Sequence, residues 1–128
     1  MLLEERSSNT SENFTFSRKL LEHPGRKVKS AIVVHKPYME RRAYATGRVA
    51  WPEVRLLMSS TPCSLRQYLL FNHSPVSVIN VMLGDLQRID VYGGKGMLEK
   101  QAIPAQVMDN FRELVRLGFN RHLLRDEH

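Results

Sequence analysis

Two hydrophobic spacings run through the chain, one of two residues and one of three to four, and they predict which segments form strands and which form helices. Residues 1–13 follow neither; they are polar and acidic, and read as a disordered tail ahead of a single domain over 14–128. Phe14 and Phe16 alternate with polar residues, as in a strand or an anchoring arm, and His23-Pro24-Gly25 reads as a turn. Between Gly25 and Pro37, Lys27 to Lys36 encloses Ala31-Ile32-Val33-Val34, a β-branched run that predicts a strand with buried neighbours. Tyr38 to Val49 alternates without a clean apolar face and is read as a second strand, with Tyr38, Arg42 and Tyr44 on one side and Gly47 at its end.

Two proline-led segments predict short helices: Pro52 to about Met58, and one capped by Thr61 and opened by Pro62, with Leu65, Tyr68 and Leu69 on one face. Val76 to Leu83 then reads as a central strand, and Gln87 to Tyr92 as another with Ile89 and Val91 inward. Gly93-Gly94 reads as a hairpin turn into Lys95 to Gln101. From Pro104, Val107, Met108, Phe111, Leu114 and Val115 mark one face of a helix, with Gly118 placed for a left-handed cap. The expected architecture is α+β: a mainly antiparallel sheet of four to five strands, two short helices, and a C-terminal amphipathic helix packed on one face.

Composition fits this picture. With 128 residues, 42% hydrophobic and 25% charged, the chain suits one folded domain. No apolar run approaches the roughly 20 residues of a spanning helix, and Glu4 and Glu5 stand where a signal peptide carries positive charge, so a cytoplasmic protein with no membrane partner is expected. The single Cys63 forms no internal disulfide and suits a reducing compartment. Charge changes the picture most. The net +6 is concentrated between Arg18 and Arg48, where nine bases meet two acids, while the rest of the chain is close to neutral.

That band supplies the leading functional expectation. Lys27, Lys29, Lys36, Arg41, Arg42 and Arg48, interleaved with Tyr38 and Tyr44 on adjacent strands, would meet phosphates with cations and bases with rings. The expected role is a non-enzymatic regulatory or accessory module that binds nucleic acid or another acidic partner. One alternative is a homodimeric adaptor, chaperone or inhibitor; another is a small-molecule-binding or small lyase-like domain with a pocket between helix and sheet.

The remaining motifs are weaker. Trp51 to Phe71 has the length of a helix-turn-helix, but Arg66 and Gln67 are its only plausible base readers, and a plain helical hairpin fits better. Gly93-Gly94-Lys95-Gly96 matches a G-x-x-G loop, yet a predicted strand precedes it where a helix belongs. His23, His35, His73, His122 and His128 show no metal-ligand spacing, and no metal or cofactor is expected; His35 reads as a pH-sensitive group near the arginine pair. Cys63 at a helix start has no base assigned to it, and Asp85 and Asp90 read as partners for basic residues. Thr61 to Phe71 resembles the Thr-Pro-led helix of chorismate lyases and related ligand-binding domains over eleven residues; the resemblance places none of that family's functional residues on this chain, so none is carried over.

Overall fold

A computed structural model describes residues 1–72 and 74–125. Among them are five helices and two strands: α1 Thr10–Leu21, β1 Ser30–Val34, α2 Glu40–Ala50, β2 Arg55–Ser59, α3 Leu65–Phe71, α4 Pro75–Gly94 and α5 Ala105–Arg116. A single 3-10 turn at Pro37–Met39 leads into α2. The two strands pair in parallel, Ser30 opposite Arg55 and Val34 opposite Ser59, so β1, α2 and β2 form a βαβ unit. The expected antiparallel sheet of four to five strands is therefore absent among the described residues.

The corrections share one cause. Tyr38 to Val49 is helical: Met39, Ala43, Thr46 and Gly47 are buried at three- and four-residue intervals, and Ala45 is buried on another side of the helix. The poor two-residue alternation was the sign of this. Phe14 and Phe16 stand on α1, whose N-cap Asn9 accepts the Glu12 N–H; the helix takes in residues 10–13 of the expected tail. Pro52 leads into β2 rather than a helix, which leaves the helix-turn-helix reading without its first helix.

The largest correction is α4. Val76 to Leu83, Gln87 to Tyr92 and the supposed hairpin Gly93-Gly94 are one 20-residue helix, opened by Ser74, whose hydroxyl accepts the Ser77 N–H, with Pro75 in its first turn. Its apolar residues lie all round because it is buried on two sides. Val78, Asp85 and Ile89 form one stripe, and Asp85 meets Arg42 of α2. Asn80 and Gly84 form the opposite stripe, where Asn80 Oδ1 accepts the Arg121 N–H at 2.9 Å. A Cβ at Gly84 would overlap the His122 carbonyl, so only glycine admits the returning chain there. Gly96, with φ +74°, lies just beyond the helix's end.

α3 begins at Leu65, capped reciprocally by Ser64 and Gln67 rather than by Thr61. α5 forms where its periodicity places it, and Gly118 takes φ +103° just past its end. None of its residues is buried, however, so it does not form the expected layer on the sheet. The main core joins Phe14 of α1 to Trp51, Val54 and Leu56, with Ala31, Val33 and Tyr44 around them. Gly47 lets α2 come this close: a Cβ there would stand 2.5 Å from Leu56 and 2.7 Å from the Phe14 ring. No helix among the described residues is long and apolar enough to cross a membrane.

Candidate ligand site at the carboxyl ends of the strands

In a parallel sheet the carboxyl ends of the strands open into a crevice bounded by the following loops and helix starts. Here that end carries His35 and Lys36 after β1, Tyr38 in the 3-10 turn and Arg42 in the first turns of α2. Asp85 enters from α4. Its side chain is only 7% exposed and meets Arg42 Nη1 at 2.5 Å. Each partner keeps one unsatisfied polar atom: Arg42 Nε and Asp85 Oδ2 are buried with no hydrogen-bond partner among the described residues. Buried polar atoms are nearly always satisfied, so two open valences in one ion pair are unusual.

His35 is held neutral. The Lys36 backbone N–H donates to His35 Nδ1 at 2.8 Å, which leaves Nδ1 as acceptor and places the ring proton on Nε2. Burial lowers the His35 pKa, and the Lys36 charge adds to the effect. Burial likewise raises the Tyr38 pKa, so its hydroxyl stays protonated. The Tyr38 ring packs edge-on against Tyr68 of α3, with centroids 5.8 Å apart at 71°. Beside this pair lies an apolar cleft of about 210 Å³ lined also by Cys63, Ser64 and Met82. Cys63 is half-buried there, just before the cap of α3; His73 and His128 lie outside the described residues.

The structure brings together only part of the expected basic set. Lys36, Tyr38 and Arg42 gather at the carboxyl end, whereas Lys27 and Lys29 precede β1 at the opposite end, about 16 Å away along a five-residue strand. Arg41 and Arg48 hold a loop: Arg41 donates to the Ala102 carbonyl and Gln101 Oε1 at 2.9 and 3.3 Å, and Arg48 meets Glu99 at 3.1 Å. Tyr44 packs against the main core. The residues that matter most here beyond the expected set are His35, Asp85 and Tyr68. A carboxylate inside the apolar stretch Val81 to Leu86 was the signal for Asp85, since an acid in such a place needs a cation.

A parallel βαβ unit with a polar cluster at its carboxyl end defines the class of this domain. The curated protein described as "Uncharacterized protein SCO4629" from Streptomyces coelicolor is 40% identical to it over 124 residues, covering 97% of this chain and 56% of that protein. The chain thus spans little more than half the length of the relative it matches. No family model matches the chain, and no solved structure matches it.

Proposed function

We propose that this domain binds a small, hydroxyl-bearing anion at the carboxyl ends of β1 and β2. The observation that carries this reading is the Arg42–Asp85 pair, whose Nε donor and Oδ2 acceptor have no partner among the described residues; both are closed to solvent in this structure, and a hydroxyl that enters as the site opens offers both complements. Lys36 and the His35 Nε2–H supply positive charge and a donor at the mouth, and the Tyr38–Tyr68 pair supplies an apolar wall. Small-molecule sites commonly join an apolar wall to a few polar groups, and the cleft beside Tyr38 and Tyr68 supplies such a wall.

Titration with glycerol 3-phosphate, which carries anion and hydroxyl, tests the reading against inorganic phosphate, which carries only the anion. Binding of the first raises the melting temperature with concentration, by the equivalent of about 2.7 kcal/mol at a hundredfold excess over Kd. Phosphate alone stabilises less, and Lys36→Ala weakens both. Equal response to the two probes removes the hydroxyl assignment, and no response to either removes the site.

A second reading keeps a nucleic acid or acidic protein as partner. It is favoured by exposed Lys27 and Lys29, neither of which joins an ion pair among the described residues. Affinity for single-stranded DNA that falls steeply with salt and is lost in Lys27→Ala/Lys29→Ala supports it; binding unchanged in that variant counts against it.

A further inference from the structure

The geometry points to the outer edge of β1 as the seat of a third β-strand, running parallel to β1 and carried by the kind of segment that makes up the rest of the Streptomyces protein. The hydrogen bonds from Arg55 N–H to the Lys29 carbonyl (2.9 Å) and from His35 N–H to the Ser59 carbonyl (3.0 Å) set the phase of the ladder. Lys29, Ala31, Val33 and His35 turn their backbone polar groups toward β2, so Ser30, Ile32 and Val34 turn theirs away from it. Among the described residues no other backbone group meets them.

The edge is also open in space. A groove of about 420 Å³ runs between β1 and α1, lined by both faces of β1 together with Asn13, Phe14 and Ser17. Ile32 and Val34 are 71% and 74% exposed, and Leu57 beside them on β2 is exposed too. Parallel sheets are ordinarily covered on both faces and rarely stop at two strands. An apolar strand edge bare on its outer side is a template for a further strand. The occupant is argued from length: nearly half of the Streptomyces protein lies outside the match, where a strand–helix–strand unit needs only about 30 residues. A parallel addition extends the β1–β2 pattern, and purely parallel sheets occur more often than random pairing would give.

Hydrogen exchange reads this directly. The chain is co-expressed with the part of the Streptomyces protein outside the match, and any complex is compared with the chain alone. We expect association, with exchange at Ile32 and Val34 slowed by about tenfold or more toward that of Ala31 and Val33. Ile32→Pro removes an outward N–H, leaves the β1–β2 hydrogen bonds in place, and abolishes association. Unchanged exchange at Ile32 and Val34 in the complex, or association that survives Ile32→Pro, overturns the proposal.

Because the separated part can fail to fold, the whole Streptomyces protein supplies a second measurement. Slow exchange of its amides aligned with Ile32 and Val34 supports the added strand, and fast exchange there overturns it. A dimer of the present chain alone that protects the same amides overturns it as well, since a second copy then holds the edge.

Discussion

The two ends of the β1–β2 sheet carry similar basic residues in different surroundings. At the carboxyl end Arg42 is three-quarters buried against Asp85, with His35 and Tyr38 beside the pair, and each group there is shifted or constrained by burial. At the amino end Lys27 and Lys29 are exposed. The difference teaches that depth, rather than the count of charges, decides what a cation does: a buried one demands a partner and offers a ligand only what that partner leaves open, whereas an exposed one is screened and meets a ligand through charge alone.

The largest expected effect breaks the buried end. Asp85→Ala leaves Arg42 without its counter-charge and should cost about 3 kcal/mol in urea unfolding, while Arg42→Met/Asp85→Leu recovers most of that loss because the desolvation cost goes with the charges. A double variant as unstable as Asp85→Ala would mean the pair is not acting as a unit. Next in size is Gly47→Ala, which forces α2 off Leu56 and Phe14 and should cost about 2 kcal/mol by the same assay, without regard to either set of charges. Equal stability of that variant and the parent would show that α2 is not held where the close approach requires.

The third effect is read in pH. His35 has a folded-state pKa below the ordinary imidazole value, so the unfolded chain binds the proton more readily. Stability should be full above about pH 6.5 and fall as pH drops through that value toward the folded-state pKa. The slope should flatten in His35→Gln. A slope that persists unchanged in the variant assigns it to another group. The smallest effect is at the exposed end: Lys27→Ala and Lys29→Ala should shift stability by no more than about 0.5 kcal/mol, so that any change in polyanion binding reads as recognition alone.

These contrasts also mark where the sequence could be read and where it could not. The β1 run was legible because it is short, β-branched and bounded by Gly25 and Pro37. The α5 helix was legible because one apolar stripe repeats over three turns. The α4 segment was misread although Ser74-Pro75 carries the same start signal that was credited at Pro52 and Pro62, where no helix begins at the proline. Valine and isoleucine cost a helix only a few tenths of a kcal/mol each, which burial on two sides outweighs. Among the site residues, Lys36, Tyr38 and Arg42 were picked out for their charge and rings, but on a supposed strand face. Asp85 was legible as a partner for a basic residue, but that this residue is Arg42, 43 positions away, was not visible in either neighbourhood.

By itself the sequence determined what depends on near neighbours: the turn at His23-Pro24-Gly25, the strand β1, the stripe of α5 and the local excess of positive charge. Only the tertiary structure decided whether Val76 to Gly94 is strand or helix, which cations are buried, and that the strands run parallel. The physical reason is that local preferences differ by tenths of a kcal/mol per residue, while burial of a side chain or an ion pair is worth several times more and depends on partners distant in the chain.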